Sequence, residues 1–155
     1  MELDTLIDVK NTHGSILGVD FGDVRTGLAI SDSSRLLASG IGVISPGGID
    51  KTVAAVAEIA RQRGVVAIVV GLPKNMDGSQ GSRAMRCSKF ASMLKEDLGI
   101  YVTTFDERMT TMTASRYLNE TNTRGKKRKQ VIDTLSAQII LQNCLDRLKY
   151  MEAEI

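Results

Sequence analysis

Asp20 closes the apolar run Ile16-Leu17-Gly18-Val19 and opens a glycine turn at Phe21-Gly22. A carboxylate at the end of a central strand stays ionised only where the strand end opens into a cleft, because an unpaired buried carboxylate is expensive. Three later stretches carry acids able to reach such a cleft. They are Asp77 beyond the apolar run at 65–70, the pair Asp106-Glu107 after the run at 101–105, and Asp133 near the start of the last helical stretch. Converging carboxylates hold hard, oxygen-preferring divalent cations. Two Mg²⁺ or Mn²⁺ ions about 4 Å apart, shared by acids such as Asp20, Glu107 and Asp133, could activate a water and stabilise the leaving oxygen of a phosphodiester. Each acid also has a plainer reading. Asp20 could accept hydrogen bonds from its own turn, and Asp106 and Glu107 could cap the helix that follows. Asp77-Gly78 is ordinary turn chemistry, and Asp133 could pair with a neighbouring Lys or Arg.

The rest of the titratable inventory narrows the chemistry. A single histidine, His13, excludes a Ser-His-Asp triad, a paired-histidine acid and base, and a His-rich zinc site. Cys87 and Cys144 stand far apart on helical stretches and read as buried free thiols, with neither a zinc site nor a disulfide framework. The net charge of +2 says nothing about partners, but its distribution does. Five of the six residues at 124–129 are basic (Arg124, Lys126, Lys127, Arg128 and Lys129), a patch of the kind that phosphate backbones attract. The plain alternative is a solvated helix start.

The elements that must position these acids follow from periodicity. Residues 16–19, 27–31 and 37–44 read as three strands with short links, a meander ended by Ser45-Pro46-Gly47-Gly48. Ile49, Val53, Val56, Ala57 and Ala60 recur at helical spacing, with Asp50 as N-cap and Gly64 as stop. Residues 65–70 form an unbroken apolar strand, β-branched except at Ala67, of the kind covered on both faces. Ala84, Cys87, Ala91, Leu94 and Leu98 share a second helical face, ended by Gly99, and 101–105 is the fifth strand. A short helix starts at Thr110 or Thr111 and runs to about Asn119, and a last one runs from about Lys126 to Lys149. Ser136, Ala137, Ile140 and Cys144 lie within a quarter turn of Asp133, which puts that acid on a small, apolar face able to lie against a sheet.

The result is an α/β fold, βββαβαβαα, with a five-stranded mixed sheet and helices on both faces. The first, fourth and fifth strands are parallel, and their carboxyl ends lie on one edge, where α/β sheets bind ligands. Residues 1–15 lack periodicity and read as a flexible N-terminal extension ahead of a single domain at 16–150. With 43% hydrophobic and 25% charged residues, the 155-residue chain belongs to the soluble globular class. Its longest apolar run is too short to span a bilayer. The start, Met1-Glu2-Leu3-Asp4, lacks the pattern of a signal peptide, so a cytoplasmic location with no membrane partner is expected.

Four motifs, in order, resemble one family. They are Gly18-Val19-Asp20-Phe21-Gly22 with Arg25-Thr26-Gly27-Leu28-Ala29, then residues 70–79 (Val-Gly-Leu-Pro-Lys-Asn-Met-Asp-Gly-Ser), then Asp106-Glu107-Arg108-Met109-Thr110-Thr111, and last Lys126-Lys127-Arg128-Lys129-Gln130-Val131-Ile132-Asp133. The family is YqgF/RuvX, and the resemblance spans Ile16 to about Leu148. It implies an RNase H-like fold and a nuclease that processes the 5′ end of the small-subunit (16S) rRNA precursor. An older assignment for the family is Holliday junction resolvase. By the same resemblance, Asp20, Glu107 and Asp133 are the three catalytic, metal-holding acids. Arg25 and Arg108 fall on the family's basic positions, as candidates for holding the scissile phosphate. One departure stands out: Val24 occupies a position that is often basic in the family.

The expectation is therefore a nuclease dependent on Mg²⁺ or Mn²⁺ and acting on structured nucleic acid, RNA rather than DNA. The patch at 124–129 would steer the phosphate backbone, with Lys74 and Asn75 as further contacts. With no Trp and 4% aromatic residues, base stacking should contribute little to recognition. A junction-resolving DNA nuclease is the alternative within the same chemistry, and it would need a homodimer to make two symmetric cuts. A non-catalytic nucleic-acid-binding module is the alternative of another class, but a pure binder gains nothing from acids facing phosphates. An ATPase-like protein shares the strand-Asp-x-Gly opening, yet 155 residues cannot hold the second copy of the domain that it needs.

Overall fold

The computed structural model describes residues 2–73, 81–106 and 125–153, without the side chains of 125–130 and 152–153. Five strands form one sheet: β1 (Ile16–Asp20), β2 (Thr26–Ser31), β3 (Ala38–Ile44), β4 (Ala67–Leu72) and β5 (Tyr101–Asp106). Their order is β3-β2-β1-β4-β5. β1 pairs antiparallel with β2, and β2 with β3, while β1, β4 and β5 run parallel. The meander plus two crossovers is the arrangement expected from the sequence, and it puts the carboxyl ends of three strands on one edge. The short helix expected to end near Asn119 lies outside the described residues.

Helices cover both faces. The pair α2 (Ile49–Arg63) and α3 (Ser82–Leu98) packs on one side, with Leu17, Val19, Ile68, Val70 and Val102 pointing at them. On the other side α1 (Leu6–Lys10) and the long α4 (Gly125–Ala153) meet Ile16, Ala29, Ala67 and Val69. Side chains alternate along a strand. Ile16, Gly18 and Asp20 therefore share the α4 face of β1, and Gly27 and Ala29 share it on β2.

That face is built from small residues for a reason. Gly18 lies beside Ala29 in the ladder, and Ala29 lies beside Gly40. A Cβ at Gly18 would sit 2.7 Å from the Leu141 Cβ, one at Gly40 would sit 2.5 Å from the Thr134 Cγ2, and one at Gly27 only 2.0 Å from the Asp133 carbonyl oxygen. α4 thus lies closer to the sheet than any side chain would allow, and Ala137, Ile140, Leu141, Cys144 and Leu145 are buried there. Cys87 and Cys144 are buried thiols, as expected. Burial pushes the Cys144 thiol up to about 12.

Three local features differ from the sequence reading. The N-terminal segment is not a loose extension. Thr5 and Asp8 form a reciprocal capping box around α1: the Asp8 N–H donates to Thr5 Oγ1 (3.2 Å) and the Thr5 N–H to the Asp8 carboxylate (2.9 Å). Asp4 pairs with Lys95 Nζ at 2.7 Å and exchanges hydrogen bonds with the Val102 backbone, and Val9 is fully buried. Arg35, at φ 59°, donates to the carbonyls of Gly14 and Val9 and to Thr12 Oγ1, which ties the end of that segment to the β2–β3 turn. Gly48, not Asp50, caps α2, because the chain leaves Gly47-Gly48 with positive φ; Asp50 sits in the first turn, where its charge suits the helix dipole. β4 starts at Ala67, since the Val65 N–H still bonds back to the Ala60 carbonyl at the helix exit.

Candidate active site

Asp20 is the last residue of β1 and Gly27 is its partner on β2. The Asp133 backbone passes directly over Gly27. One glycine therefore brings the two acids together: it is Asp20's neighbour within the sheet and the contact point of α4 above it. Both acids line one cleft of about 250 Å³ at this edge, together with Gly22, Asp23, Val24, Arg25 and Arg83. Asp133 lies on the packed side of α4, and its side chain is 20% exposed.

The β1–β2 loop that forms one wall is held from below. Phe21 is buried and stacks on Phe90 of α3, with ring centroids 4.3 Å apart. Arg86, one turn earlier on α3, pairs with Asp23 and lies over the Phe21 ring at 5.9 Å. Gly22 makes the tight turn, because a Cβ there would lie 2.3 Å from the Arg25 carbonyl oxygen. The loop then returns Arg25 to the cleft, where its Nε donates to Asp133 Oδ2 at 2.5 Å. Arg25, expected as a phosphate contact, is thus ion-paired with Asp133, and the plain reading of that acid as the partner of a basic residue describes this structure. The pair bridges the loop and α4 across 108 positions of sequence.

Strand alternation also fixes the face of Asp106, the last residue of β5. Val102 packs toward α2 and α3 and Phe105 toward α4, so Asp106 falls on the α2/α3 face, opposite to Asp20. That is the wrong face for joining Asp20 directly. Glu107, Arg108, Lys74, Asn75 and Arg124 lie outside the described residues. Lys126, Lys127, Arg128 and Lys129 fall in the first turns of the α4 backbone, and their side chains lie outside it as well.

The donor set suits a hard cation. Among the described residues, every acid lining the cleft is an aspartate, and no His or Cys lines it. Such oxygen ligands fit Mg²⁺ or Mn²⁺ better than zinc. Among the described residues no group of three or more potential ligands converges. Asp20 and Asp133 are two donors of a set whose expected third member is Glu107. Like Asp23, Arg83 is a lining residue that sequence reasoning missed. A signal existed: it is an arginine in the first turn of a helix, where the dipole favours acids.

Comparison with known proteins decides the family. The RuvX family signature, described as Holliday junction resolvase, matches residues 14–147. The chain belongs to the RuvX family. A relative from Caldanaerobacter subterraneus subsp. tengcongensis, named "Putative pre-16S rRNA nuclease", is 47% identical over 136 residues, covering 86% of this chain and 97% of the relative. A relative of the same name from Paracoccus denitrificans is 38% identical over 149 residues, covering 96% of this chain and 94% of its own. Among solved structures, RuvC of T. thermophilus in complex with a Holliday junction substrate superposes with a TM-score of 0.55 at 14% identity, covering 88% of this chain and 97% of that one. At that identity the likeness speaks for the fold, which is RNase H-like. As a RuvX family member the chain is a nuclease, a hydrolase of phosphodiester bonds. No helix among the described residues is long and apolar enough to cross a membrane.

Proposed function

We propose that this RuvX nuclease depends on Mg²⁺ or Mn²⁺ and matures the 5′ end of the 16S rRNA precursor in the cytoplasm. The observation that carries the catalytic part is the convergence of Asp20 and Asp133 at the carboxyl end of β1, in an open cleft. The names of the relatives support RNA as the substrate. Asp20, Asp133 and Glu107 would hold the ion, which when bound neutralises charge on the phosphodiester and acidifies water. Gly27 and the close seat of α4 fix the spacing of the two aspartates before substrate arrives, the preorganisation that positioning needs. Arg25 keeps the Asp133 carboxylate oriented into the cleft and stands ready as a donor to a non-bridging phosphate oxygen. The basic run at 124–129 precedes Asp133 by about two helical turns in sequence and would attract the backbone from a distance.

A second reading, cleavage of four-way DNA junctions, is favoured by the family description. It requires a dimer, because two symmetric cuts need two sites. Competition between the substrates tests the choice. The protein is given equal concentrations of a labelled 16S precursor fragment and a labelled four-way junction with Mn²⁺. Preferential cutting of the precursor supports the proposal. Paired cuts in the junction, made by a dimer, with the precursor left whole, would overturn it.

A further inference from the structure

We propose that Arg83 is a substrate-binding residue that grips a backbone phosphate entering the cleft beside Asp20 and Asp133. Three observations meet at this side chain. First, Arg83 lines the same cleft as the two acids. Second, the neighbouring arginines are engaged with carboxylates: Arg25, in the same cleft, holds Asp133, and Arg86, one turn further along α3, holds Asp23. Arg83 is exposed and makes no ion pair or hydrogen bond among the described residues. Third, it stands where a cation works against the helix. α3 starts at Ser82, its N-cap Gly81 offers no side-chain hydrogen bond, and no acid occupies the first turn. A helix N-terminus carries partial positive charge and favours anions, so an arginine there is unfavourable until an anion arrives.

The chemistry that satisfies all three is a phosphate group. It would accept from the fixed guanidinium fork of Arg83 and sit in the field of the uncapped first turn of α3. Val24 in the same lining is 71% exposed and carries no charge, so α3 supplies a cation that this position of the β1–β2 loop does not. A strand lying over Val24 would then have one phosphate at Arg83 and its neighbour near the acids. The inference rests on the nucleic-acid reading of this cleft.

The test measures binding without cleavage. A fluorescein-labelled 16S precursor fragment is titrated with wild type, Arg83→Ala and Arg83→Lys in EDTA, by anisotropy, over a range of salt concentrations. Arg83→Ala should bind about tenfold more weakly. Its slope of log affinity against log salt should fall by about 0.7–0.9, the signature of one lost phosphate contact. Arg83→Lys should restore the slope, because the charge is kept. The melting temperature of Arg83→Ala should equal or exceed that of wild type, since a misplaced helix-end charge has been removed. An unchanged slope, or a clear loss of thermal stability, would show a surface or structural residue and overturn the proposal. A wild-type protein that binds neither this RNA nor DNA in a salt-dependent way would overturn the nucleic-acid reading itself, which the Arg83 variants alone cannot do.

Discussion

Replacing Gly27 with alanine should separate Asp20 from Asp133 without touching either carboxylate. The added Cβ would lie 2.0 Å from the Asp133 carbonyl oxygen, 2.6 Å from its carbonyl carbon and 3.3 Å from the Thr134 nitrogen. An ordinary contact between carbon and a carbonyl oxygen is about 3.3–3.6 Å. The obstacle is helix backbone, so no side-chain rotation relieves it. The start of α4 must therefore retreat by roughly 1.3 Å, given that contact distance. A misplacement of about 1 Å at a reacting centre can lower the rate about a hundredfold, and overpacking of this kind costs about 1–3 kcal/mol of stability. The assay is single-turnover cleavage of the labelled precursor with Mn²⁺, beside circular dichroism and melting. Gly40→Ala is the comparison, because its Cβ meets the rotatable Thr134 methyl rather than backbone. Cleavage should fall about a hundredfold in Gly27→Ala and far less in Gly40→Ala. A folded Gly27→Ala protein that cuts at the wild-type rate would refute the claim that this glycine sets the spacing of the acids.

Two further outcomes concern stability. The Asp8 carboxyl is held below its ordinary value of 3.8, first by the hydrogen bond from the Thr5 backbone N–H and next by the Thr5 side chain. A depressed carboxylate contributes stability above its unfolded value and loses it as pH falls through the lowered folded one. Asp8→Ala should therefore melt below wild type at pH 7, with the gap closing in acid below that range; a gap that persists there would disprove the capping role. The Ser136 hydroxyl is buried with no hydrogen-bond partner among the described residues. Ser136→Ala should thus be neutral or stabilising by about 1 kcal/mol, and a lower melting temperature would contradict this.

The sheet was legible because its strands announce themselves. The largely β-branched run at 65–70 and the glycine-bounded strands around Asp20 and Gly27 leave few alternatives. Asp133 was legible as an acid on a small-residue helix face, and that face is the one seated on Gly18, Gly27 and Gly40. The pairing of Arg25 with Asp133 was not, since it joins positions 108 apart and depends on how closely α4 sits. Arg83 escaped for a related reason: its significance lies in the Asp23–Arg86 and Phe21–Phe90 contacts that fold the β1–β2 loop against α3. The N-terminal helix had a signal, Thr5 with Asp8 three residues on, but α1 is five residues long and buries only Val9, too little to produce a periodic pattern.

The most direct test of the account is metal-dependent cleavage by wild type and Asp20→Asn. The labelled 16S precursor fragment is incubated with each protein in Mn²⁺ and in EDTA. Wild type should cut only with the metal. Changes in the shell around metal ligands already cost about 10–100-fold, so loss of a ligand should bring Asp20→Asn to the upper end of that range or beyond, with the protein still folded and still bound to RNA. Cutting by Asp20→Asn at the wild-type rate, or wild-type cutting that persists in EDTA, would contradict a catalytic centre built on Asp20.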